Sequence, residues 1–380
     1  MNVYLDNAAT TAMHPEVIDA MHAVMKEQYG NPSSIHGYGR VTRALIEQAR
    51  RSVAQLINAN PAEIFFTSGG TEANNMAIHG AIKTYGIGHA ITSPLEHHAV
   101  LHTLEHLEKD GLIKLSYVQL SENGHVDLEH LQTLLAMYPG SFVSLMHGNN
   151  EIGNLLPLQE VADLCNNYQA ILHSDTVQTM GHYRFDMRAL NIGFVNCAAH
   201  KFHGPKGVGF IYINENLKIE PYIFGGAQER NMRGGTENLY GIIGLAKAME
   251  VAHREMESYQ DYVSGLKQYM IDKLREQIPG VEFNGDVSKD SLYTVLNVSF
   301  PPSPVSEMLL FSMDINGIAA SGGSACSSGS NVGSHVLRAL DIDKSRTGVR
   351  FSFSKFNTKD EIDFTIKKLQ EILKLEPASK

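Results

Sequence analysis

Short apolar runs alternate with amphipathic segments over the first two-thirds of the chain, and no other feature limits the fold as strongly. The apolar runs are "EIFFTS" (63–68), "HAITS" (89–93), "IKLSYVQL" (113–120), "FVSLMH" (142–147), "AILHSD" (170–175), "FVNCAA" (194–199) and "GVGFIYIN" (207–214). Helical patterns lie between them. "HPEVIDAMHAVMKEQYG" (14–30) opens with Pro15 near the first helical position and stops at Gly30. "RVTRALIEQARRSVAQLI" (40–57) keeps apolar residues at helical spacing, and "GGTEANNMAIHGAIKTY" (69–85) reads as a turn followed by a helix. Strands this short and apolar, joined by helices, predict βα units and a mainly parallel sheet buried on both faces.

The pattern changes later in the chain. Residues 239–278 read as one long helix or two joined ones, followed by "TVLNVSF" (294–300), "SGGSACSSGSN" (321–331), "RTGVRFSF" (346–353) and a closing helix near 358–374. That tail predicts a smaller α+β domain, and 380 residues are enough for two cores.

The formal net charge of −10 argues against a nucleic-acid footprint, which needs clustered Lys and Arg, but leaves room for a basic partner protein. Cys165, Cys197 and Cys326 are the only cysteines, too few and too scattered for a disulfide framework or a zinc ribbon. "MNVYLDNAATT" lacks the charged and apolar regions of a secretory leader, and no run approaches the length of a membrane span. A cytoplasmic protein with reduced thiols is the expectation.

In open α/β sheets ligands bind beyond the carboxyl ends of the strands, and the polar residues at those positions are unusual here. After "EIFFTS" come Gly69, Gly70 and Thr71, leading into a helix whose free N–H groups and dipole favour a phosphate. After "AILHS" comes Asp175, with Gln178 close behind; a buried acid needs a positive partner. After "FVNCAA" come His200 and Lys201, and a buried strand-end lysine can serve as a nucleophile toward carbonyls. A phosphate seat, an acid for a pyridinium nitrogen and a Schiff-base lysine are what pyridoxal phosphate requires. Each residue alone has a plainer reading: Lys201 could snorkel to the surface and Asp175 could cap a helix.

As an ordered set the motifs resemble the cysteine desulfurases of the NifS/IscS type, in the class-V aminotransferase family of pyridoxal-phosphate enzymes with fold type I. The resemblance runs over essentially the whole chain, through "YLDNAATT" (4–11), "GNPSSIHGYG" (30–39), "FTSGGTEANN" (66–75), "EHHAV" (96–100), "MHGNNEIG" (146–153), "HSDTVQ" (173–178), "HKFHGPKG" (200–207), "RGGTEN" (233–238), "SGGSACSSGS" (321–330) and "RFSF" (350–353). It implies an α/β fold with a large cofactor-binding domain over residues 12–258. A small domain made of 1–11 and 259–380 would carry the Cys326 loop. It further implies that Lys201 forms the Schiff base and moves protons, that Asp175 pairs with the pyridinium nitrogen, and that Gln178 bonds the phenolic oxygen. His97 would stack on the ring, and Gly70, Thr71 and His200 would bind the phosphate. Thr236 would reach the phosphate of the other subunit in a homodimer. Asn150 and Arg350 would hold the substrate carboxylate. One position departs from the pattern: a phosphate-binding serine is usual three residues before the lysine, and here it is Ala198.

The implied reaction takes L-cysteine to L-alanine. A thiolate accepts the sulfur as a persulfide and passes it to an acceptor or scaffold protein, for iron–sulfur cluster assembly or thiolation. Cys326 suits that role, because its Gly/Ser surroundings suggest an exposed loop able to visit two places, whereas Cys165 and Cys197 read as buried. His97 is a candidate base for the substrate thiol. A class-V aminotransferase would share Lys201, Asp175 and Gln178 without needing Cys326, and a selenocysteine lyase or cysteine sulfinate desulfinase could use the same frame. A non-enzymatic metal-binding protein is the remaining alternative: His98, His102 and His106 recur at i, i+4, i+8, although a solvated helix face explains that row more simply. The chain ends at "LKLEPASK", soon after its last helix, so relatives with a longer docking tail are expected to engage scaffolds differently.

Overall fold

The computed structural model describes residues 1–323 and 333–374. Its centre is a seven-stranded sheet. In spatial order the strands are Ile64–Thr67, Gly209–Ile213, Phe194–Ala198, Ile171–Ser174, Phe142–Ser144, His89–Thr92 and Lys114–Tyr117. Four neighbouring pairs are parallel, while Gly209–Ile213 runs antiparallel to both of its neighbours. Two reversals cancel, so Ile64–Thr67 points the same way as Phe194–Ala198. The carboxyl ends of six strands therefore share one edge of the sheet.

Alternate side chains along these strands feed two cores, which is why the runs are apolar throughout. Phe65, Phe142, Phe194 and Ile211 enter the core on one face. Ile64, Phe66, Val143, Val195, Cys197 and Phe210 enter the other, which also takes Cys165 from the helix Leu158–Asn167. Both cysteines are buried, and burial raises their thiol pKa values. They are packing groups and not nucleophiles.

A third core lies around the antiparallel strands Thr347–Ser352, Val295–Phe300 and Glu282–Asn284. Residues 239–277 form a single helix, about 58 Å long at the usual rise. Its first half packs Leu239, Ile242, Leu245 and Met249 into the large-sheet core, and its second half packs Val263, Leu266, Met270 and Leu274 into the third. The N-terminal segment joins this third core as well. Val3–Tyr4 pairs in parallel with Ile318–Ala319, Leu5 is buried, and the Ser352 amide donates to the Leu5 carbonyl at 2.8 Å. From there residues 6–11 run across to the edge of the large sheet.

Candidate active site

A cleft of about 230 Å3 opens at that shared edge, lined among others by Ala8, Ala9, Gly70, Thr71, Asn74, His97, Asn150, Asp175, Gln178, Ala198, His200, Lys201 and Arg350. Nine of the site residues expected above are thus brought together, eight from beyond the ends of five strands of the large sheet and Arg350 from within Thr347–Ser352; Ala8 and Ala9 of the N-terminal segment line the cleft beside them. Thr236 is not among them: it is exposed on a separate strap beside Gly235 and Asn238. Cys326 lies outside the described residues.

At the phosphate seat, Gly69 turns the chain with φ +150°, a conformation that favours glycine, and the helix Gly70–Tyr85 then starts without a side-chain cap. Its first-turn N–H groups are left for an anion. A Cβ on Gly70 would come within 2.6 Å of Val177 Cγ2, so only glycine lets the helix start lie this close to the Asp175 turn. In the same first turn Glu72 accepts from Arg233 at 2.9 and 3.2 Å and from the Ser68 amide at 3.0 Å. That ion pair fastens the strap carrying Thr236 to the helix start.

Asp175 does not cap a helix. One carboxylate oxygen accepts from the Val177 amide at 3.0 Å, and the other accepts from Asn74 Nδ2 at 2.7 Å. Asn74 is itself held by Asn196, whose side-chain amide donates to Asn74 Oδ1, while Asn196 Oδ1 accepts from the Thr176 amide at 2.8 Å. Two N–H donors, one on each oxygen, fix the orientation of this buried carboxyl. Asn74 was not among the residues expected here. Its signal was a polar side chain on the buried face of a helix, flanked by Ala73 and Ala77, both fully buried.

Lys201 does not snorkel either. Its short helix, Ala199–Lys201, turns the side chain into the cleft, where Nζ donates to the carbonyls of Ala8 at 2.5 Å and Ala9 at 3.0 Å. Gln178 Nε2 donates to the same Ala8 carbonyl at 3.0 Å. The "YLDNAATT" segment therefore supplies the backbone acceptors that position both side chains. His200 Nδ1 lies 3.2 Å from Thr10 Oγ1, and burial together with Lys201 and Lys206 lowers its pKa to about 4. It is a neutral hydrogen-bonding group at ordinary pH.

His97 is the N-cap of the helix His98–Lys109, and its Nδ1 accepts from the Ala99 amide at 3.1 Å. Burial lowers its pKa, so the ring is neutral and its proton sits on Nε2. As wired, Nε2 is a donor, and taking the substrate's thiol proton there requires giving up the cap. In the histidine row His102 and His106 are exposed, as a solvated face requires, and His98 is half-buried. His106 lies 3.5 Å from Asp110, and His98 packs its ring against His102 at 4.6 Å and His335 at 4.3 Å. Among the described residues only His14, Glu16 and Glu255 lie close enough to share a metal ion, and both carboxylates are ion-paired with Arg254.

Arg350 closes the far side of the cleft. Its side chain is 1% exposed, Nη1 donates to the Asn150 carbonyl at 2.8 Å, and Nη2 donates to Asp6 Oδ1 at 2.8 Å. Its Nε–H is buried with no partner among the described residues. An orphaned guanidinium donor lining a cleft suits a carboxylate ligand. The donor set as a whole fits pyridoxal phosphate: an uncapped glycine-rich helix start, a carboxyl group fixed by two N–H donors, and a lysine amine at the same opening.

Comparison with known proteins agrees with this chemistry. Residues 3–364 match the family Aminotransferase class-V. The chain belongs to that family. A cysteine desulfurase IscS from Dictyoglomus turgidum is 43% identical over 98% of this chain and 94% of its own. A mitochondrial cysteine desulfurase from Arabidopsis thaliana is 39% identical over 99% of this chain and 84% of its own. Among solved structures, a NifS-like protein superposes with a TM-score of 0.91 at 36% identity, covering 99% of this chain and 100% of the other. SspA in complex with cysteine superposes with a TM-score of 0.82 at 28% identity, over 94% of this chain and 100% of the other. Within the class-V family the chain is thus of the NifS/IscS cysteine desulfurase type, an α/β protein with a mostly parallel central sheet flanked by helices.

Proposed function

We propose that this chain uses pyridoxal phosphate to take sulfur from L-cysteine, leaving L-alanine and a persulfide on Cys326. The observation that carries the proposal is Lys201 and the doubly bonded Asp175 meeting in one cleft with the uncapped start of Gly70–Tyr85. The phosphate would be held by the N–H groups of Gly70 and Thr71 and by His200, with Asp175 at the ring nitrogen and Gln178 and His97 at the ring. Bound there, the cofactor supplies an electron sink that stabilises negative charge beside the substrate's amino group.

The residues of the chain do the rest. Arg350 binds the substrate's α-carboxylate through the guanidinium edge that carries the orphaned Nε, with Asn150 beside it. Lys201 Nζ takes the proton from Cα, and the Ala8 and Ala9 carbonyls hold the resulting ammonium. His97 donates a hydrogen bond from Nε2 into the cleft. The Cys326 thiolate attacks the substrate sulfur: the S–S bond forms, the Cβ–S bond breaks, and the carbon that keeps the electron pair is protonated to alanine.

The sulfur then passes to an acceptor or scaffold protein for cluster assembly or thiolation. Carriage on a thiolate suits a reducing compartment, and the cytoplasm is part of the proposal. So is a homodimer in which Thr236, exposed and tethered through Arg233 and Glu72, completes the phosphate seat of a second copy. Residues 12–258 and the pair 1–11 with 259–380 are taken as two domains, in keeping with separate cores joined by one helix.

The test uses protein reconstituted with pyridoxal phosphate. Wild type is expected to release alanine and accumulate persulfide, while Cys326→Ala loses both and still shows a cysteine-induced change in the cofactor spectrum. A protein that takes up no cofactor overturns the proposal, as does a Cys326→Ala variant releasing alanine at the wild-type rate.

A further inference from the structure

Three segments far apart in sequence meet around Arg350, and the residue that ties them together has no role in the chemistry above. Asp6 Oδ1 accepts from Arg350 Nη2 at 2.8 Å and from Ser321 Oγ at 2.8 Å. Ser321 and Arg350 also exchange backbone hydrogen bonds, at 2.6 and 3.2 Å. The Asp6 backbone is equally fixed, bridging to Ser352 and accepting from the Ala9 amide at 3.0 Å. Asp6 therefore sits on a rigid strap whose next residues, Ala8 and Ala9, position Lys201.

A guanidinium has five N–H donors in one plane, and two fixed acceptors define that plane. Asp6 and the Asn150 carbonyl are those acceptors, each at 2.8 Å. Together they fix the plane of a side chain that lines the cleft and leave its Nε–H as the donor without a partner among the described residues. Without Asp6 the Nη2 end can rotate, and a two-point grip on a carboxylate loses its preset geometry. The Asp6 side chain is 18% exposed, so its bond to Arg350 is only partly screened.

We propose that Asp6 is a positioning residue for the substrate's carboxylate. It acts through its Oδ1 as an acceptor that sets Arg350, not by touching the substrate. The inference rests on the reading of Arg350 as the carboxylate anchor.

The experiment compares two ligands of the holoenzyme, L-alanine and ethylamine, the same amine without the carboxylate. Each Kd is read from the change in cofactor absorbance. Asp6→Ala is expected to raise the L-alanine Kd tenfold or more and to leave that of ethylamine within twofold. Asp6→Asn, which keeps Oδ1, should stay within threefold of wild type for both. Equal weakening of both ligands, an unchanged L-alanine Kd in Asp6→Ala, or Asp6→Asn as weak as Asp6→Ala would each overturn the proposal. Should Asp6→Ala fail to fold, Ser321→Ala removes only the second bond to the same oxygen. A rise of twofold to fivefold for L-alanine alone is then expected, and no change overturns the proposal. Arg350→Gln separates the two readings. If it leaves the L-alanine Kd unchanged, the anchor assignment fails; if it weakens L-alanine while Asp6→Ala does not, only the role of Asp6 fails.

Discussion

Replacing Ala198 by serine should strengthen the hold on pyridoxal phosphate, and the size of the gain follows from where Ala198 lies. It ends the strand Phe194–Ala198, lines the cleft and is 3% exposed. A Cβ built on Gly70 would stand 4.0 Å from the Ala198 methyl group, so position 198 borders the helix start that seats the phosphate. A serine hydroxyl at this buried position adds one donor for a doubly charged group. A hydrogen bond to a charged partner contributes about 1.5–3 kcal/mol. At about 1.4 kcal/mol per tenfold, that corresponds to a cofactor Kd lower by roughly 10- to 150-fold. Apoenzyme titrated with cofactor gives the Kd, and dialysis of the holoenzyme gives the loss rate, which should be slower in Ala198→Ser. Ala198→Cys is the control, since it adds similar bulk but only a weak donor, and it should remain near wild type. Equal cofactor retention by Ala198→Ser and wild type would refute the reasoning.

Two further predictions concern stability. Arg50 and Glu229 form a bidentate pair at 2.7 and 2.9 Å with both side chains 2% exposed, and Glu229 also accepts from the Phe66 amide at 2.8 Å. Arg50→Met strands the carboxylate and should cost about 3–5 kcal/mol, whereas Arg50→Met with Glu229→Leu should recover most of it; urea midpoints of the three proteins decide, and equal midpoints for single and double variants would contradict the account. Acid should weaken the fold. Burial lowers His147, His173, His182 and His203 to about 4, so between pH 6.5 and 4 the unfolded chain binds more protons than the folded one. Stability is then fully present above about pH 6.5 and falls as pH drops, by roughly 1.4 kcal/mol per pH unit for each histidine; a urea midpoint that stays flat from pH 7 to 5 would rule this out.

Much of the site could be read from the chain because strand ends are marked twice, by an apolar run that stops and by a polar residue that follows. Asp175, His200, Lys201 and the Gly70 turn all carry that double mark. What escaped the reading has no side-chain signature or an ambiguous one. The acceptors for Lys201 and Gln178 are backbone carbonyls of two alanines. Asn74 sits in "TEANN", where a polar residue also suits an exposed helix face. The antiparallel strand Gly209–Ile213 was invisible for a different reason: with both faces buried, its run of apolar residues is the same in either direction. Asp6 could have been found only as the negative partner a buried arginine demands, and its sequence distance from Arg350 hides that pairing.

The strap formed by residues 3–9 has a consequence for how the protein is made. These residues leave the ribosome long before Ile318, Ala319, Arg350 and Ser352, against which they settle. The large sheet can form as the chain emerges, because all seven of its strands lie within residues 64–213. The cleft cannot, since Lys201 lacks its Ala8 and Ala9 acceptors until the strap is pinned at the far end. A nascent chain interrupted before residue 350 can therefore fold much of its mass and still leave its active site unassembled.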